Sequence, residues 1–77
     1  MDIKVLGPGC PKCLQTMKIV EEAVAESGVD ARIEKITDLL DITRYGIMGT
    51  PAVVVDGQVK STGKIPAKAE VKVWIGQ

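Results

Sequence analysis

The stretch PAVVVDGQVKS, residues 51–61, constrains the fold more than any other part of the sequence. Two β-rich runs flank Asp56-Gly57, a dipeptide that suits the two-residue type I′ turn of an antiparallel hairpin. What precedes the hairpin alternates in kind. DIKVL (2–6) places Ile3 and Val5 on one face and Lys4 and Leu6 on the other, a short strand apolar on much of both faces. From Pro11 to Ser27, Leu14, Met17, Val20, Ala23 and Val24 recur at helical spacing, with Lys18, Glu21, Glu22 and Glu26 outward and Gly28 as the stop signal. DARIEKI (30–36) reads as a second strand. TDLLDITRYG (37–46) reads as a short helix capped by Thr37 or Asp38 and ended by Gly46. After the hairpin, Pro66 leads into a last helix with Ala67, Val71, Trp74 and Ile75 on one face.

The predicted order is β-α-β-α-β-β-α. A right-handed βαβ crossover sets the first two strands parallel, and the hairpin adds an antiparallel pair. The expectation is an α/β fold with a four-stranded mixed sheet and helices on both faces. No repeat or linker divides the chain, so residues 1–77 are expected to form a single domain, near the size where one core only just suffices. Tyr45 and Trp74 are the only aromatic residues, so that core must be aliphatic. Trp74 is expected to cover it, Tyr45 to pack at a helix end, Met48 to fill the core or its rim, and Lys4 to snorkel to solvent. Ten basic and ten acidic residues cancel, which argues against nucleic acid and acidic membranes as partners. Neither a charged leader nor an apolar run of about eighteen residues is present, so the expectation is a cytoplasmic protein with no membrane contact, acting as a monomer.

Both cysteines lie in GPGCPKC, residues 7–13. Structural zinc needs four ligands, and the chain offers two cysteines and no histidine; only a dimer could assemble a four-thiolate site. A static staple closing so short a loop gains little. A carrier of soft metal such as Cu(I) is the stronger rival, since two thiolates suit that ion. Against it stand Pro11, which pre-forms a helical start, a helix between the second strand and the hairpin, and a helix at the end of the chain. A redox couple fits better. With Cys10 as N-cap, Pro11 occupies N1, where its missing N–H is no loss. The N–H groups of Lys12 and Cys13 then point at the Cys10 sulfur, and together with the positive helix end they favour thiolate. Cys13, one turn on, faces inward at a separation that a disulfide tolerates. Cys10 is the expected nucleophile and Cys13 the resolving thiol, tuned by Pro11 and Lys12, with no cofactor beyond the pair itself.

CPKC opening the first helix, followed by GTPAVVVDG (49–57), resembles the thioredoxin-fold superfamily at its glutaredoxin-like minimal size. In particular the chain is similar to the small thioredoxin-like "redox-active disulfide" proteins of archaea and bacteria. The resemblance spans nearly the whole chain and implies a thiol-disulfide oxidoreductase acting on disulfide-containing proteins. It also implies a cis Thr50-Pro51 bond packed opposite the cysteines, although most X-Pro bonds are trans and a trans Pro at a strand start is the ordinary reading. By the same resemblance Gly49, Thr50, Pro51 and Gly63 line the substrate cleft, where Thr50 can pair with an extended peptide. A non-catalytic binding module of the same fold is the remaining alternative.

The sequence departs from its relatives in places. Gly9 stands where thioredoxins carry a Trp, and Lys4 where they carry a buried Asp. Lys12 replaces the Tyr usual in glutaredoxins, and TGKIP (62–66) lacks their Gly-Gly turn with its acidic residue. A thioredoxin-reductase-like donor is therefore expected in preference to glutathione.

Overall fold

The computed structural model describes residues 1–47 and 49–76, so the expectation for Met48 lies outside the described residues. Among them the elements follow the expected order: β1 (Asp2–Leu6), α1 (Pro11–Ser27), β2 (Arg32–Ile36), α2 (Leu39–Arg44), β3 (Ala52–Val55), β4 (Gln58–Thr62) and α3 (Lys68–Trp74). The sheet runs β2-β1-β3-β4. β1 is parallel to β2 and antiparallel to β3, and β3 is antiparallel to β4. The two central strands hold most of the buried apolar residues of the sheet: Ile3, Val5 and Leu6 of β1 and all of β3. All four residues of β3 are buried, whereas edge strand β2 carries three exposed charges, Arg32, Glu34 and Lys35.

One face of the sheet packs Ile3, Val5, Val53 and Val55 against Val20 and Ala23 of α1 and against Val71 and Ile75 at α3. The opposite face packs Leu6, Ala52 and Val54 against Ile42 of α2. Helices thus cover both faces, and the core is aliphatic, with Trp74 packed against its margin. No helix among the described residues is long and apolar enough to cross a membrane.

Local signals set the boundaries. Asp38, rather than Thr37, caps α2: its carboxylate accepts from the Leu40 N–H at 2.8 Å. Gly28 ends α1 at φ 71°, donating its N–H to the Val24 carbonyl at 3.1 Å. At the hairpin Asp56 and Gly57 have φ of 49° and 83°, both positive as a type I′ turn requires. Between Val53 and Val54 the β3–β4 register shifts, leaving Lys60 without an opposite residue. Glu26, near the end of α1, bonds Lys68 at 2.6 Å and Lys72 at 2.8 Å, tying that helix to α3.

Four side chains, Leu14, Leu39, Leu40 and Lys4, differ from expectation. Leu14 is 54 % exposed, and Thr16 takes the inward place on α1, its hydroxyl donating to the Lys12 carbonyl at 2.9 Å. That bond satisfies the buried hydroxyl within its own helix, so a polar residue can sit where a hydrophobe was expected. Leu39, Leu40, Ile42 and Tyr45 recur as an imperfect helical face, yet Leu39 and Leu40 are exposed on α2, which has only Ile42 buried. Lys4 does not simply extend into solvent: its ammonium donates to the Tyr45 hydroxyl at 3.1 Å. This bond across the face of the sheet gives both residues a definite partner.

Candidate active site

The turn between β1 and α1 holds both cysteines because Cys10 is the N-cap residue, extended at φ −68° and ψ 163°, and Pro11 begins the helix. Cys10 and Cys13 are disulfide-bonded, with Cα atoms 5.0 Å apart. Their exposures are unequal. Cys13 is 2 % exposed, beneath the first turn, while Cys10 is half-buried at the rim. The Cys13 N–H donates to Cys10 Sγ at 3.2 Å. The Lys12 N–H, expected to share that task, makes no such bond among the described residues. Pro11 and Lys12 are exposed, and the first turn of α1 carries no acidic residue to oppose negative charge on the sulfur.

A second group of expected residues gathers at the start of β3. The Thr50–Pro51 peptide is cis and Pro51 is buried. The Pro51 carbonyl accepts from the Gly63 N–H at 2.9 Å. A Cβ on Gly49 would lie 3.2 Å from Gly63 Cα, so the bare backbone at 49 lets the loop before β3 approach the loop after β4.

Gly7 joins the two groups. A Cβ there would overlap Cys13 Sγ and stand 3.9 Å from Thr50 Cβ. The cysteine turn and the 49–51 loop therefore meet across Gly7, whose own N–H donates to the Ile36 carbonyl at 2.9 Å. The sequence does not single out Gly7, because GPG reads only as a strand break; no local signal distinguishes a glycine needed for space from one needed for a turn. Leu14, whose spacing reads as inward, stands exposed one position beyond Cys13.

A cavity of about 340 Å³ opens on the α2 side of the sheet, lined by Lys4, Ile36, Asp41, Arg44 and Tyr45, and includes neither cysteine. The Tyr45 hydroxyl, accepting from Lys4, raises the Lys4 pKa above its ordinary value. At neutral pH Lys4 is an ammonium and no base, so it cannot do the work of the carboxylate found at this position in the family it resembles. Among the described residues no group of three or more His, Cys, Asp or Glu side chains could hold a metal ion.

The arrangement is suited to two-electron exchange. One sulfur is reachable and held by a backbone donor at a helix N-terminus, and the other is buried within bonding reach of it. The thioredoxin-domain family model matches residues 1–76. The chain is 44 % identical over 70 residues to a thioredoxin of Methanocaldococcus jannaschii, covering 91 % of this chain and 80 % of that one. It is 39 % identical over 72 residues to a thioredoxin of Methanothermobacter thermautotrophicus, covering 94 % of each. A protein described as a probable thioredoxin from the same organism is 34 % identical over 67 residues, covering 83 % of this chain and 78 % of that one. Fold, paired cysteines and relatives agree: the chain belongs to the thioredoxin family and is a dithiol-disulfide oxidoreductase.

Proposed function

We propose that reduced Cys10 is the nucleophile and Cys13 the resolving thiol. The observation that carries the assignment is the asymmetry of the pair: Cys10 Sγ is partly accessible and accepts the Cys13 N–H at 3.2 Å, whereas Cys13 is 2 % exposed. That donor and the N-terminus of a 17-residue helix both favour the thiolate at Cys10 over the thiol. Attack by Cys10 on a substrate disulfide releases one substrate thiolate and forms a mixed disulfide. Cys13 then attacks Cys10 Sγ, closing the internal disulfide and releasing the second thiolate. The dithiol loses two electrons, the substrate disulfide gains them, and the two protons reach the product thiols through solvent.

The substrates in this reading are disulfide-containing proteins. An extended substrate segment pairs with the backbone of Thr50, beside Pro51 and the Gly49–Gly63 contact, while Pro11 and Lys12 shape the exposed rim. The electron donor is a thioredoxin-reductase-like enzyme rather than glutathione, since TGKIP (62–66) lacks the acidic turn that glutathione use calls for. The protein acts as a single-domain monomer in the cytoplasm, with its own disulfide as the only redox group. Cys13→Ser should accumulate mixed disulfides through Cys10, and Cys10→Ser should accumulate none. If the Cys10 variant is the one that traps, the roles are reversed. Turnover with thioredoxin reductase but not with reduced glutathione checks the donor.

A further inference from the structure

The eight glycines divide into two kinds. Six of them, Gly9, Gly28, Gly46, Gly57, Gly63 and Gly76, have positive φ, and a Cβ on any of these would meet no atom within 4 Å. The other two, Gly7 and Gly49, have no positive φ, yet they alone would bring a Cβ into close contact. Backbone conformation does not call for glycine at position 7. Space does. The buried Gly7 faces Cys13 Sγ directly, with Cys13 Cβ 3.0 Å and Thr50 Cβ 3.9 Å from where a methyl would lie. The Gly7 N–H is held by the Ile36 carbonyl at 2.9 Å, so its backbone is anchored to β2 and does not readily yield.

We propose that Gly7 is the positioning residue for the resolving thiol: its missing side chain creates the seat in which Cys13 Sγ lies when it bonds to Cys10. The proposal rests on Cys13 as the resolving thiol and adds a residue to that assignment. A methyl group at position 7 presses on a sulfur that, in the oxidised protein, is tied to Cys10 and cannot turn aside. In the reduced protein the thiol is untied and can rotate away. Gly7→Ala therefore penalises the oxidised state selectively and slows closure of the disulfide, while leaving the first attack by Cys10 alone. Overpacking of this kind shifts an equilibrium about ten-fold or more, which for a two-electron couple is about 30 mV toward a more oxidising potential.

The test uses 5,5′-dithiobis(2-nitrobenzoate) with the reduced protein in stopped flow. Attack by Cys10 releases one thionitrobenzoate, and resolution by Cys13 releases the second. The Cys13→Ser protein should keep the fast first release and the Cys10→Ser protein should lose it; the reverse would overturn the assignment of roles itself. With that control in place, Gly7→Ala should keep the first phase and slow the second about ten-fold, with its potential against dithiothreitol raised accordingly. An unchanged second phase and an unchanged potential would overturn the role of Gly7 alone. Where Gly7→Ala folds poorly, thermal unfolding of Gly7→Ala/Cys13→Ala decides. Relief of the defect once the sulfur is gone supports the seat, and the same loss in both backgrounds rejects it.

Discussion

Reduction of the Cys10–Cys13 bond should destabilise this protein modestly, and the size can be worked out. The bond joins residues three apart, so it closes a loop of four residues in the unfolded chain. The loop-entropy relation gives about 6 cal/mol/K for such a loop, or about 1.8 kcal/mol at 25 °C. Set against this, the Cys10 sulfur, which accepts the Cys13 N–H at 3.2 Å in the disulfide form, is freed by reduction to carry negative charge at the N-cap. A negative group at a helix N-terminus gains about 0.3–1 kcal/mol there, which narrows the gap. The oxidised form should therefore be more stable by about 0.8–1.5 kcal/mol. For a domain of this size that is a difference in Tm on the order of 3–12 °C. By linkage the folded couple should be more reducing than the same cysteines in the unfolded chain by about 15–30 mV. Paired urea or thermal denaturation with and without dithiothreitol measures the gap, and dithiothreitol equilibration of the folded and urea-unfolded chain measures the potentials. A gap of about 4 kcal/mol or more would refute the reasoning, because a four-residue loop cannot supply it. So would a reduced form more stable than the oxidised one, since the helix-end gain would then exceed its usual range.

Other outcomes follow from the packing and the charges. Val20 is fully buried between the sheet and α3, and Val20→Ala should cost about 2–3 kcal/mol by chemical denaturation, from two lost methyl groups and the space they leave. A cost under about 0.5 kcal/mol would mean that the site collapses around the smaller residue. Hydrogen bonds from Lys68 and Lys72 lower the pKa of Glu26 from 4.5 to about 2. The folded value is the depressed one, so this contribution to stability is fully present above the unfolded pKa and is lost as pH falls from 4.5 toward about 2. The difference in Tm between the wild type and Glu26→Gln should shrink across that window and also with added salt, because all three groups face solvent. An equal difference at pH 7 and pH 2 would exclude the clamp as its source.

Most of the architecture is readable from sequence because each element carries its own punctuation. Pro11 and Gly28 delimit α1, Asp38 caps α2, and Asp56-Gly57 fixes both the turn and the antiparallel pairing it closes. Helix faces are read less well. Periodicity favours Leu14 as an inward residue, yet Thr16 takes the buried place by bonding its hydroxyl to the Lys12 carbonyl, an option that hydropathy does not register. At the site, the cysteines and the loop before β3 are visible as motifs, while their meeting point is not. The contact of Gly7 with Cys13 and Thr50 depends on how β1, α1 and the 49–51 loop are packed, which no window of sequence contains. The Lys4–Tyr45 bond is hidden for the same reason, its partners lying 41 positions apart.

The shifted register in β4 bears on how the protein meets other chains. A sheet of four strands has two open edges, and each is a template onto which a foreign strand could zip. Here one edge, β2, displays Arg32, Glu34 and Lys35 to solvent. On the other, β4 is kinked at the unmatched Lys60, so its backbone groups do not form the straight ladder that edge-to-edge joining needs. A protein whose work is to hold another chain's backbone briefly and let it go is poorly served by edges that hold one indefinitely. Straightening β4 by deleting Lys60 would remove that safeguard, and the cost would be read as aggregation rather than as lost chemistry.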